Sequence, residues 1–325
     1  MKQSEASARV LIAVLCIGVV LVPFLFWKQT PMIRARMAET GGWSPAVIRA
    51  RVGEPLHLKF TSEDVMHGFA VGQMALAAVD IEPGKVSETT LTFQKPGIYT
   101  FYCTRWCGPN HWRMRGTIEV SGAGSGNPEP ASRPLYVDLG LNLDTPHPAD
   151  IIPVEKPSAS RGQVFLSRVP DPSTYQSTGT YRSHSPVQIF MDLGTTRLTD
   201  LQRWDVVVAI WAQNTSAAGL ADGKELYAQN CAACHGESGA GDGVYADTLA
   251  AMGAESQVGM SGTREMSIKK PVNFTKPDLL GASPALLQGK ILRGGMGTGM
   301  PMWGSIFSDE QIWNLVAYLY TFQFK

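Results

Sequence analysis

Two clusters of sulfur and imidazole stand out in this chain. The first is the string Cys103-Thr104-Arg105-Trp106-Cys107-Gly108-Pro109-Asn110-His111-Trp112-Arg113-Met114. Thiolate, imidazole and thioether together are the soft donors that suit copper in an electron-transfer role. One cysteine with His111 and Met114 would make a mononuclear site. The second cysteine, four residues further on, can supply a second bridging thiolate, so that two coppers share both sulfurs. A second histidine must then come from elsewhere in the fold. His67, in Asp64-Val65-Met66-His67-Gly68-Phe69, stands just after an early strand and is the natural candidate. His57, His147 and His184 lack that context, and His57 alternates within a strand as a structural residue does. A Cys103–Cys107 disulfide, a mononuclear site and a zinc site are the competing readings. The disulfide leaves His67, His111 and Met114 without a role.

The second cluster, Cys231-Ala232-Ala233-Cys234-His235, has the C-x-x-C-H spacing of haem c attachment. Two thiols on one helical turn reach the two haem vinyl groups and set His235 beneath the iron. A sixth ligand should be a methionine well downstream, and Met296, Met300 and Met302 all lie in one Gly-rich loop. All three are candidates on spacing, and Met300 is the one that precedes a proline, Pro301. His/Met ligation raises the potential and closes the iron to substrate, which suits electron relay rather than oxygen chemistry.

The elements around these clusters follow from periodicity. From Trp43 to Val120, short alternating runs at 47–52, 56–60, 89–93, 98–102 and 116–120 are split by Gly/Pro turns, which predicts a β-sandwich or barrel over 43–121. The copper string follows the run ending at Tyr102, so it forms a loop at one end of the sandwich. Residues 122–132 read as a flexible linker. From 219 to 325 the pattern is helical: an amphipathic segment leads into the haem motif, and 310–322 forms a final helix with Asp309 near its start to cap it.

Between them, 133–215 lacks a motif but carries an echo. Thr199-Asp200-Leu201-Gln202-Arg203-Trp204-Asp205 resembles Ser308-Asp309-Glu310-Gln311-Ile312-Trp313-Asn314, and upstream of each lies a Ser-Pro pair, Ser185-Pro186 and Ser283-Pro284. This region reads as a degenerate, haem-free copy of the cytochrome-like domain; an irregular insert ending in one helix is the alternative.

The 325 residues have room for two or three domains. Lys+Arg and Asp+Glu both number 28 with no long run of one sign, which argues against nucleic acid as a partner. Residues 10–27 are apolar throughout and approach the roughly 20 residues a membrane helix needs. The run ends in Phe24-Leu25-Phe26-Trp27 with no small-residue cleavage site, so it reads as an uncleaved transmembrane anchor rather than a signal peptide. Cys16 lies inside it as a passive apolar residue, and 1–9 would be a cytoplasmic N-terminus. Covalent haem c is attached outside the cytoplasm, which places the bulk of the chain on the periplasmic or outer side of a cell membrane.

With these motifs in place, 43–120 resembles subunit II of haem–copper oxidases, whose CuA centre sits on a cupredoxin fold. That resemblance implies that Cys103 and Cys107 bridge two coppers, that His67 and His111 each cap one, and that Met114 and the backbone carbonyl of Arg105 are weak ligands. The family often carries Glu where Arg105 stands, a change a backbone contact tolerates. Two departures are visible: one membrane span replaces the commoner two, as in ba-type oxidases, and the tryptophan-rich segment that receives electrons from cytochrome c is reduced to Trp43. Residues 219–325 resemble class I cytochrome c, where the axial methionine often precedes proline, which implies Met300 as the axial ligand. The combination resembles subunit II of caa-type oxidases.

The resemblance implies a non-catalytic electron-transfer subunit of an oxidoreductase. Electrons would pass from an external donor, a cytochrome c or a small copper protein, through haem c to CuA and on to a membrane-embedded catalytic subunit I that reduces oxygen. A nitric oxide reductase partner, or a stand-alone membrane-tethered shuttle, are the alternatives.

Overall fold

The computed structural model describes residues 32–74, 78–108, 111–122, 133–249, 270–295 and 299–324. The expected anchor at 10–27, most of the expected linker and Met296 lie outside the described residues. No helix among the described residues is long and apolar enough to cross a membrane.

The first half is a β-sandwich. One sheet has the order β2-β1-β4-β7, formed by β1 (Met32–Ala35), β2 (Trp43–Ser44), β4 (Pro55–Ser62) and β7 (Ser87–Thr92). The other has the order β3-β9-β8-β5-β6, from β3 (Val47–Arg51), β5 (His67–Val71), β6 (Val79–Ile81), β8 (Gly97–Tyr102) and β9 (Arg115–Ser121). Strand alternation sends Leu58, Phe60 and Ser62 of β4 inward. Leu58 and Phe60 meet Phe69, Phe101 and Ile118 from the facing sheet in one buried core. β8 and β9 pair antiparallel, with Tyr102 opposite Arg115, so residues 103–114 form the loop that closes this hairpin. β5 pairs with the other edge of β8, Ala70 opposite Tyr102, which brings His67 to the same end of the sandwich.

Trp43 belongs to this core. It is buried, its ring packs edge-on against Phe69 and Phe101, and its Nε1 donates to the Met114 carbonyl at 3.0 Å. The expectation that it is the remnant of an electron-receiving surface is therefore corrected: it braces the floor of the copper loop.

The second half is helical. After α1 (Leu135–Asp138) come α2 (Ala159–Leu166), α3 (Pro172–Gln176), α4 (Thr178–Ser183), α5 (Pro186–Asp192) and α6 (Asp200–Gln213). Then follow α7 (Ala217–Asn230), α8 (Ala232–His235), α9 (Asp278–Gly281), α10 (Pro284–Arg293) and α11 (Asp309–Phe324). α2 crosses α6, and α7 crosses α11, each at a glycine. A Cβ on Gly162 would overlap the carbonyl of Asp205, and one on Gly223 the carbonyl of Asn314. The two crossings use equivalent positions of the repeated sequence.

The caps repeat as well. Ser185 and Ser283 cap α5 and α10, each with proline in the first turn. Thr199 caps α6 in a capping box with Gln202. Ser308 does the same for α11: its hydroxyl accepts from the Gln311 N–H at 3.2 Å, and the Gln311 side chain accepts from the Ser308 N–H at 2.9 Å. The expected cap, Asp309, falls inside the first turn, where its carboxylate accepts instead from Trp313 Nε1 and Gln288. Both helical units share one buried core, joined where Trp211 meets Tyr320 edge-on at 5.5 Å.

Candidate metal centres

The copper string folds into a compact pocket. Cys103 follows β8 directly, and its N–H donates to the Met114 carbonyl at 3.1 Å, so the two ends of the loop are pinned together. Gly108, at φ 139°, takes a backbone conformation that side-chain-bearing residues avoid and turns the chain between Cys107 and His111. The Cys103 and Cys107 sulfurs lie 4.0 Å apart and are free thiols, which excludes the disulfide reading for this conformation. His67 Nδ1 is 3.7 Å from Cys103 Sγ, and His111 Nδ1 is 3.4 Å from Cys107 Sγ. Met114 Sδ stands 3.7 Å from Cys107 Sγ, and the Arg105 carbonyl 3.2 Å from Cys103 Sγ. All six residues expected at this site are therefore together. The donor atoms of His67, Cys103 and Cys107 lie within 4.8 Å of one another, close enough to hold one ion.

The electrostatics suit a cation. Burial opposes charge on Cys103, but hydrogen bonds from the Cys107 thiol, His111 and His67 outweigh it and favour its thiolate. That thiolate, together with burial, pushes the Cys107 thiol up. The pair thus holds a proton that a metal would displace. Asp64 completes the arrangement: its Oδ1 lies 2.7 Å from His67 Nε2, leaving Nδ1 aimed at the sulfurs. Burial works against charge on His67, and bonds to Cys103 and Asp64 more than offset it, so its basicity is raised. A second carboxylate, Asp80 on β6, takes both Nε and Nη2 of Arg105 at 2.7 and 2.9 Å and fixes the backbone carrying the carbonyl donor.

The haem motif occupies the turn from α7 into α8. Cys231, Cys234 and His235 line a cleft of about 1110 Å³ of empty space, its open mouth included. His235 Nδ1 lies 3.1 Å from the Val272 carbonyl, to which it donates, so Nε2 is the atom left for a metal. Burial lowers its basicity, which keeps the imidazole neutral as ligation requires. Burial also pushes the Cys231 thiol up to about 12 and Cys234 up to about 11. Burial thus raises both thiols of this pair, whereas in the copper pair the two shifts run in opposite directions. Met300 lines the same cleft, whereas Met302 is 60% exposed.

Residues 220–323 match the family model for cytochrome c, and residues 42–121 match that for the periplasmic domain of cytochrome c oxidase subunit II. The chain joins a subunit II periplasmic domain to a cytochrome c domain. Cytochrome c oxidase subunit 2 of Thermus thermophilus is 40% identical over 79 residues, which cover 24% of this chain and 58% of that protein. Its counterpart from a named strain of the same organism is also 40% identical over 79 residues, 24% of this chain and 46% of the relative. This chain thus spans about half the length of the curated relatives it matches. The crystal structure of the periplasmic domain of subunit II of cytochrome oxidase from Bradyrhizobium japonicum is 28% identical, with a TM-score of 0.22, over 23% of this chain and 53% of that one.

The subunit II domain implies a CuA centre and the cytochrome c domain implies haem c, and the residues present fit both groups. Paired soft sulfurs flanked by imidazoles suit copper, and two thiols with a fixed imidazole on one wall of an apolar cleft suit covalent haem. Sequence reasoning missed Asp64, Asp80 and Tyr245. Asp64 was recoverable, since it stands three residues before His67 in the same short string. Asp80 and Tyr245 reach their sites only through tertiary packing.

Proposed function

We propose that this chain is the electron-transfer subunit of a haem–copper terminal oxidase. Cys103, Cys107, His67 and His111 would hold the copper, with Met114 and the Arg105 carbonyl as weaker donors. Cys231 and Cys234 would attach haem c, and His235 and Met300 would hold its iron. Each group, when bound, accepts and releases single electrons. The protein's own residues hold both groups rigid, through Asp64 on His67 and the Val272 carbonyl on His235, and exclude water from the sulfurs by burial. Residues 10–27 anchor the chain in the membrane, with the bulk outside the cytoplasm, beside a catalytic subunit I. The external donor delivers to haem c, and 133–215 is a haem-free copy of the cytochrome c fold.

The observation that carries this reading is that His111, of the copper set, also lines the haem cleft. The test is to extract the full-length protein from its native membrane in mild detergent, identify what copurifies and assay a reduced donor against oxygen and nitric oxide. A polytopic haem–copper partner with oxygen uptake is expected. Turnover of nitric oxide alone moves the partner to a nitric oxide reductase, and a chain that emerges alone, loaded and inert to both gases, overturns the subunit reading.

A further inference from the structure

The mouth of the haem cleft is roofed by the copper loop. Trp106, His111 and Trp112 all line the cleft that also holds Cys231, His235 and Met300. Trp106 packs against Tyr245 of the cytochrome c domain, the ring planes tilted by 30°. It also meets His111, the ring centroids 5.2 Å apart. His111 in turn reaches Cys107 Sγ at 3.4 Å. A continuous run of π-systems therefore joins the cytochrome c domain to a copper-binding sulfur. Trp106 Nε1 is buried and has no acceptor among the described residues, which leaves a donor for an occupant of the cleft.

A second patch fixes the orientation. The Gln73 N–H donates to the Ile306 carbonyl at 2.9 Å, and Arg115 Nη1 donates to the Met302 carbonyl at 2.9 Å while lying over the Trp303 ring. Between them Gly72 lets the two backbones meet: a Cβ there would stand 2.8 Å from Ile306 Cα, its carbonyl oxygen and that of Ser305. Two separated patches, one at the 71–74 turn and one at the copper loop, define a single relative orientation.

We propose that this face is an electron-transfer dock built in cis, in which the loop that holds copper is itself the lid of the haem cleft and Trp106 is the positioning residue that bridges the two. The proposal rests on the relay reading above and specifies its contact. One electron crosses: the haem side is oxidised by one, the copper side is reduced by one, and no bond or proton is exchanged. Holding donor and acceptor in one fixed contact makes the step unimolecular and sensitive to small displacements.

The test uses the full chain, loaded with copper and haem c, in detergent. The haem is reduced by a light-triggered reductant, and the copper absorption is followed. Gly72→Leu wedges the second patch apart without touching either pocket, and Trp106→Leu removes the bridge while Trp106→Phe keeps a ring. Transfer in the wild type is first-order and independent of protein concentration. Gly72→Leu and Trp106→Leu are each expected to slow it about tenfold or more, because displacements on the order of 1 Å cost this much in oriented reactions. Trp106→Phe recovers much of the rate. Copper electron paramagnetic resonance and the haem spectrum stay unchanged in Gly72→Leu, and in the Trp106 variants they report whether each pocket still holds its group. In Gly72→Leu the Gln73 amide also loses its protection from hydrogen exchange, a readout that needs neither cofactor. Unchanged rates in both Leu variants overturn the dock and leave the relay standing. Absence of any haem-to-copper transfer in the wild type overturns the relay itself.

Discussion

Gly162 and Gly223 do the same work in two helical units. Each lets a short N-terminal helix press against the carbonyl of a residue in the C-terminal helix of its own unit, Asp205 in α6 or Asn314 in α11. Downstream of each crossing, the same Ser-Pro and Ser/Thr-x-x-Gln caps start the later helices. The two units part ways just after their first helix. In the cytochrome c domain, α7 runs into Cys231 and His235; in the middle unit, α2 runs into Pro170-Asp171-Pro172, which offers neither thiol nor imidazole. Trp204 then stacks on Phe190 at 4.7 Å and is buried, while its counterpart Trp313 lies nearer the surface under the Arg182 guanidinium. Helix crossing and caps thus form a framework independent of the ligand. A unit that has no haem-binding residues can keep that framework by filling its interior with aromatic side chains.

The most severe way to break the comparison is to fill the crossings. Gly162→Val and Gly223→Val should each cost about 3 kcal/mol or more, because the new side chain meets backbone that cannot yield. Gly223→Val should also lose haem incorporation, read as covalent haem per chain. Because Trp211 joins the two units to one core, Gly162→Val is expected to lower the melting temperature of the cytochrome c domain too, followed by circular dichroism and haem absorbance. A cytochrome c domain that melts unchanged would show the two units to be independent.

A smaller effect comes from the polar residue at the crossing. Asp205 is buried and accepts from the Ser158 N–H at 2.6 Å and from Nε and Nη2 of Arg161 at 2.8 Å each. At the matching position, Asn314 Nδ2 donates to Asp222 at 2.9 Å. Asp205→Asn leaves charge-assisted bonds unmade and should cost about 2 kcal/mol, discounted because Arg161 is half exposed. Asn314→Asp sets two carboxylates side by side and should cost about 1 kcal/mol at neutral pH. Denaturant midpoints at constant slope measure both.

Much of this was legible in the residues themselves. The six expected copper donors sit in one hairpin loop plus one strand start, and the structure brings them together because a short loop cannot scatter them far. The haem motif is local to a single turn. The matching caps were readable because caps are written in sequence, Thr199 and Gln202 or Ser308 and Gln311. Less legible was anything that depends on which face meets which. Trp43 has the composition of a surface tryptophan and proves to be core, since its Nε1 finds the Met114 carbonyl across the sandwich. Tyr245 carries no motif at all; only docking gives it a partner.

The caps sharpen the comparison at the next level. Thr199→Ala and Ser308→Ala should each cost about 1 kcal/mol, equal within error, since each removes one hydroxyl acceptor at an N-terminus and disrupts the same reciprocal box. A thermal melt of each variant checks this; a cost confined to Ser308→Ala would mean that α6 is held by packing rather than by its cap.

The smallest effect is a pH dependence at the contact between the middle stretch and the cytochrome c domain. Asp144, early in the middle stretch 133–215, takes Nη1 and Nη2 of Arg293 at 2.9 and 2.6 Å and so straps that stretch to the end of α10. The Arg293 guanidinium holds the Asp144 carboxyl below its ordinary value. A carboxyl whose native pKa is depressed stabilises the fold above its unfolded value, about 3.9, and loses that contribution as pH falls through the lower native one. The strap is fully exposed to solvent at Asp144, so its effect is small and screened by salt. The check is a carboxyl-carbon NMR titration of Asp144 in the wild type and in Arg293→Gln. The variant should move the midpoint up toward the ordinary value. An unmoved midpoint would mean that the strap does not persist in solution and that α10 is held only by the buried contacts it shares with the core.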